Sequence, residues 1–150
     1  KSNYYSMSPY QEIRVGDARI RTYGSTDSGV SYLVQCEGVT LFHAGDLNWW
    51  HWWDDSPSEM RQAEEAYTRE IERIKGEAVD VAFFPVDPRL KDYYSWGADY
   101  FIREISPQVL IPMHFGKNTV LPGQYAAQRT NKQTRIVMLK KSNQEMIIEI

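Results

Sequence analysis

Three side chains able to hold a divalent metal ion each stand just after an apolar run in this 150-residue chain. Asp46 ends the segment Phe42-His43-Ala44-Gly45-Asp46, Asp87 follows Pro85-Val86, and His114 follows Ile111-Pro112-Met113. In open α/β sheets ligands bind at the carboxyl ends of strands, so the coincidence marks one candidate cleft. Carboxylate and imidazole together suit zinc, manganese or iron. Each residue also has a purely structural reading. A lone histidine after a strand is commonly a hydrogen-bonded packing residue, and an aspartate after glycine is commonly turn chemistry.

The elements that must position these residues follow from hydrophobic periodicity. The first ten residues, polar and tyrosine-rich, read as an irregular lead-in. Ala18–Tyr23 alternates apolar and charged residues, the period of a half-buried strand. After the polar stretch Gly24–Gly29, the runs Val30–Cys36 and Val39–His43 flank Glu37-Gly38, a two-residue hairpin signal. Ser56-Pro57-Ser58-Glu59 opens a helix, with an N-cap serine, proline at the first position and the glutamate of a capping box. Met60, Ala63, Tyr67, Ile71 and Ile74 form its apolar face, and Gly76 stops it. Val79–Val86 is nearly continuously apolar, as expected of a strand covered on both faces. A helix capped by Ser95, with Ala98, Phe101, Ile102 and Ile105 on one face, ends before Pro107. Val109–Pro112 is a second buried strand. Two last strands, Arg135–Leu139 and Glu145–Ile150, are expected around a turn at Lys140–Asn143. A hairpin followed by a βαβ unit makes a layered α/β domain with a mixed sheet. Helices on one face alone would leave the other face uncovered, so a partner layer is expected from elsewhere.

The run Ser25-Thr26-Asp27-Ser28-Gly29-Val30-Ser31-Tyr32-Leu33-Val34, then the hairpin, then Phe42-His43-Ala44-Gly45-Asp46, resembles the metallo-β-lactamase superfamily. It is most similar to the ascorbate-6-phosphate-lactonase-like branch. The resemblance implies the C-terminal portion of a four-layer αββα sandwich. It also implies that Asp46 bridges two metal ions and that His114, in Pro112-Met113-His114, holds the second. The superfamily's paired histidines followed by Asp-His are absent, and three histidines in all (His43, His51, His114) cannot supply them. The family's middle histidine would fall near Gly24–Gly29, where this chain offers Asp27. Two ligands, or three with Asp27, leave the site incomplete. The chain opens on Lys1 instead of Met. The expectation is a single, incomplete domain over residues 1–150, lacking ~80–100 N-terminal residues that carry the histidine motif.

Trp49-Trp50-His51-Trp52-Trp53 is the most unusual local feature. It reads either as a stacking wall beside Asp46, with Trp49 and His51 toward substrate, or as aromatic cover for a sheet edge or subunit interface. His43 reads as a packed strand residue. Asp87 and the neighbouring Arg89 read as substrate contacts, Arg89 for an anionic substrate, or as an ion pair with each other.

A net charge of −3, with basic clusters only at Arg19/Arg21 and Lys140/Lys141, gives no electrostatic footprint for nucleic acid. No apolar run reaches the ~20 residues of a bilayer span. A single cysteine, Cys36, cannot form an internal disulfide, which points to a reducing, cytoplasmic setting. Two functions are therefore expected to compete. One is a metal-dependent hydrolase of a small-molecule ester, lactone or similar bond, inactive as this chain alone. The other is a non-catalytic chain that assembles with a missing segment, a second copy or another chain.

Overall fold

In the computed structural model, which describes residues 4–129, 133–139, 141 and 144–150, one seven-stranded sheet carries the chain. Its strands are β1 (Glu12–Val15), β2 (Ala18–Tyr23), β3 (Ser31–Cys36), β4 (Val39–His43), β5 (Val81–Pro85), β6 (Val109–Met113) and β7 (Arg135–Ile136). They lie side by side in chain order. The first four pair antiparallel, and β4 through β7 pair parallel. The switch occurs where the connections change from hairpins to helical crossovers, which parallel pairing requires.

Local chemistry explains the joints. Glu37 and Gly38 both adopt positive φ (51° and 81°), the geometry of a two-residue hairpin turn matched to strand twist. They set Cys36 opposite Val39. Helix α1 (Pro57–Ile74) begins as its sequence dictates: the Ser56 side chain accepts from Glu59 N, and the Glu59 carboxylate accepts from Ser56 N. Gly76, at φ 93°, follows its end. Helix α2 (Trp96–Ile105) starts after Ser95, but that serine does not cap it through its side chain. The hydroxyl is engaged by Asp99 and Arg129 instead. Helix α3 (Leu121–Gln128) packs Tyr125 into the core and is joined to α2 by the ion pair Arg129–Asp99.

Alternation along the strands separates two faces. Leu33, Phe42, Ala82, Phe84 and Leu110 point one way and pack with Tyr67, Ile71 and Ile74 of α1, Phe101 of α2 and Tyr125 of α3. The Phe101 ring sits between Phe42 and Phe84, at centroid distances of 5.1 and 4.7 Å. On the opposite face Val81, Val109 and Ile111 are buried beneath Val137 and Ile148, while Ile20, Val34 and Leu41 are only partly covered.

Several expectations need correction. Beyond the lead-in lies a strand that was not expected: Glu12–Val15 pairs with Ala18–Tyr23, turning at Gly16 (φ 59°). Helix α3 and a short 3-10 segment at Pro88–Tyr93 were not expected. The last expected strand, Glu145–Ile150, is not a strand. Arg135–Ile136 is too short an edge to template one, and Ile148 instead lies across Val81, Val109 and Ile111. The turn expected at Lys140–Asn143 falls largely outside the described residues. Among the described residues, no helix is long and apolar enough to cross a membrane.

Candidate active site

The carboxyl ends of β4, β5 and β6 are neighbours in the parallel part of the sheet, so Asp46, Asp87 and His114 emerge side by side. His114 Nδ1 lies 2.9 Å from Asp87 Oδ2, and His114 Nε2 lies 3.3 Å from Asp46 Oδ1. One imidazole thus spans two carboxylates. The three expected residues share one cleft.

Each is placed by identifiable backbone features. Gly45 adopts φ 57°, and a Cβ there would stand 2.7 Å from the Val30 carbonyl oxygen. Only glycine fits the turn that presents Asp46. His114 itself has φ 68°, a left-handed conformation that non-glycine residues adopt rarely and at a cost. The strain turns its imidazole back over the strand ends. Trp50, nearly buried, donates its indole N–H to the Asp46 carbonyl at 3.0 Å and sets its ring edge-on to His114 at 5.6 Å.

Asp87 is 1% exposed. Burial alone would push its pKa up, but the Arg89 side chain, the Arg89 backbone N–H and His114 together hold the carboxyl below its ordinary value. Arg89 donates from Nε to both carboxylate oxygens at 3.0 Å and from Nη2 to Oδ2 at 2.6 Å. Bonding to Asp87 in turn raises the pKa of Arg89, and the charges of Asp27 and Asp46 add to the effect. Asp87 is therefore a buried anion behind His114, and it favours the tautomer with hydrogen on Nδ1.

That tautomer turns a lone pair on Nε2 toward the Asp46 carboxylate, and a facing imidazole nitrogen and carboxylate oxygen are donors of the kind that suit a divalent ion. The set is not complete: among the described residues, no group of three or more His, Cys, Asp and Glu comes together to hold one. Asp27, the third expected ligand, sits on the exposed loop between β2 and β3 at the same end of the sheet. That loop is tied down over its first residues. Gly24 N donates to the buried Glu70 carboxylate of α1, and Thr26 Oγ1 is hydrogen-bonded to Asn48.

The tryptophan run divides. Trp49 leaves the cleft and stacks on Tyr67 and edge-on to Trp96 and Tyr100. His51 is held between Tyr93 and Trp96, with centroids 4.3 and 4.8 Å away. The structure thus puts Trp49 and His51, two of the four expected substrate contacts, into an aromatic cluster, while Asp87 and Arg89 lie beside His114. Trp50 and Trp52, of the same run but not expected as substrate contacts, stack nearly parallel at 5.8 Å and carry the Arg89 guanidinium on their rings. The signal for them was Arg89 itself, a cation needing a wall near a tryptophan run. His43 lies outside the cleft, stacked on Phe83 on the partly covered sheet face, and desolvation lowers its pKa.

No family model matches the chain. Among solved structures it superposes on a protein of Parabacteroides distasonis ATCC 8503, by its name a metal-dependent hydrolase. The TM-score is 0.62 at 15% identity, over 89% of this chain and 56% of that one. A Thermotoga maritima protein, by its name a Zn-dependent hydrolase of the metallo-β-lactamase superfamily, gives 0.59 at 17% identity, over 91% of this chain and 72% of that one. YhfI of Bacillus subtilis, a metallo-β-lactamase fold protein, gives 0.56 at 13% identity, over 91% and 52%. At such identities the likeness concerns architecture, and it extends over 56% of the length of the first of these proteins. The chain has the α/β architecture of the metallo-β-lactamase fold and spans part of the length of these proteins.

Proposed function

We propose that this chain is the portion of a metal-dependent hydrolase that supplies Asp46 and His114 as ligands, acting on a small-molecule ester, lactone or similar bond. The observation that carries the reading is the facing pair of His114 Nε2 and Asp46 Oδ1 at 3.3 Å, with His114 Nδ1 backed by buried Asp87. Carboxylate behind histidine behind metal is the arrangement by which proteins orient an imidazole ligand. Asp46 offers the second donor, and Asp27, on the loop at the same end of the sheet, is the candidate for a third. The remaining ligands come, in this reading, from a histidine-bearing segment beyond these 150 residues. The short span of the match and the incomplete donor set support that view.

A divalent ion bound there supplies Lewis acidity, which activates water and polarises the bond to be cleaved. The chain's own residues do the rest. Asp87 orients His114, Trp50 fixes the Asp46 turn and shields one side of the imidazole, and Arg89 balances the Asp87 charge. Zinc is the first candidate, with manganese and iron also suited to the donors. The low basic charge and the tryptophan wall favour a small molecule over a nucleic acid. We place the protein in the cytoplasm on its single cysteine.

The test is metal analysis of the complete protein after dialysis. The expected outcome is ~1–2 equivalents of transition metal, lost in Asp46→Ala and in His114→Ala. A folded wild-type protein without bound metal would overturn the reading.

A second reading has its own observation. Ile20, Val34 and Leu41 leave apolar sheet surface only partly covered, so this chain could act as the non-catalytic half of an assembly. It predicts no bound metal and association through that face.

A further inference from the structure

Arg89 is paired with Asp87, yet its side chain remains 61% exposed. A guanidinium has five N–H donors. The bonds to Asp87 use Nε and one hydrogen of Nη2, so three donors are left. The group is held rigid by the bidentate pair on one edge and by the faces of Trp50 and Trp52. Beyond it opens a cavity of about 230 Å³, bounded by Asp87, Arg89, His114 and Lys117. Lys117 forms no ion pair among the described residues. A second, adjoining hollow is lined by Arg89, His114 and Gly116. Two cations therefore border the hollow beside the imidazole, in a chain whose net charge is negative.

A cation already neutralised by its partner carboxylate would need no exposed, pre-set fork. Oxyanions, carboxylate or phosphate, match that planar fork with two parallel N–H···O bonds, and a fixed guanidinium loses little entropy on binding them. The indole faces give such an anion an apolar neighbour on the same ligand. We infer that Arg89 and Lys117 form an oxyanion-recognising subsite beside His114, so that the substrate is a small acid or phosphorylated compound whose anionic group lies next to the bond cleaved. The inference rests on the hydrolase reading for the word substrate, but anion binding itself does not require catalysis.

The experiment is an equilibrium titration of the chelator-treated full chain with inorganic phosphate and, separately, with succinate. Tryptophan fluorescence and the indole N–H resonances are followed. The expected result is saturable binding of at least one anion. Arg89→Met should weaken it about tenfold or more, Arg89→Lys less, and Lys117→Met a few-fold, as expected when charge-assisted bonds are removed. Lys117 lies on an exposed loop, so its variant keeps the test decisive should Arg89→Met fail to fold. Preference for phosphate or for succinate identifies the kind of acid. Absence of saturable binding by either probe, or equal affinity in wild type, Arg89→Met and Lys117→Met, overturns the subsite. Metal content is read separately, so a chain that binds metal but no anion fails only here, and one that binds anions but no metal fails only as a hydrolase.

Discussion

His114 Nδ1 and Asp87 Oδ2 stand 2.9 Å apart, with the carboxylate 1% exposed and the imidazole open to the cleft. The buried partner therefore orients the exposed one. Asp87→Asn keeps the shape but removes the charge and allows the amide to donate, which disfavours a hydrogen on Nδ1. We expect metal affinity to fall about 10- to 100-fold, with the fold retained. Competition with a chromogenic chelator measures it, and unchanged affinity would show that Asp87 does not orient the ligand.

Gly45→Ala places a methyl group 2.7 Å from the Val30 carbonyl oxygen in a left-handed turn. The cost should be about 1–3 kcal/mol, or several degrees in Tm for a domain of this size. Metal binding should suffer together with thermal stability, because the same turn carries Asp46. Gly38→Ala, also at positive φ but with no atom near its Cβ, is the control that separates backbone strain from the clash.

Phe101 is fully buried between Phe42 and Phe84. Truncating it to alanine removes the contact between α2 and the centre of the sheet. A loss of about 3–5 kcal/mol is expected by urea denaturation, enough to leave the chain marginal at 37 °C.

Ser56→Ala removes the N-cap of α1 and should cost about 1 kcal/mol near neutral pH. The Glu59 carboxyl is held below its ordinary value by bonds first from the Ser56 hydroxyl and then from the Ser56 backbone. Its contribution is thus complete above the ordinary glutamate range, near about pH 4.3, and is lost as pH falls through the lower folded-state value. The difference between wild type and Ser56→Ala should narrow over that acid window. A gap in Tm that stays constant down to pH 3 would refute the capping-box account.

Much of this arrangement is legible in the chain because local signals agree with it. The Ser56–Glu59 box, the Glu37-Gly38 turn and the alternation of Ala18–Tyr23 each arise from a few residues, and each is found where expected. Asp46 and His114 were placed together by their position after apolar strands, which is topology read from pattern. Other features depend on distant partners. Ser95 has every local mark of an N-cap, yet Asp99 and Arg129 take its hydroxyl. Trp49 and Trp50 are adjacent and chemically identical, and only the turn after Asp46 decides which faces His114 and which faces Tyr67. Glu145–Ile150 alternates like a strand, but β7 offers it no edge of sufficient length.

The strands stand in the sheet in the order of their synthesis. A nascent chain can therefore grow by adding each new strand to an edge already formed, without waiting for a distant one, and close its loops at little entropic cost. The cleft is assembled on the same schedule: the Asp27 loop first, then Asp46, then Asp87, with His114 arriving as β6 docks. If Asp46 and His114 hold an ion as proposed, it would be captured only after that last step, and its binding would tie the end of β6 to the end of β4.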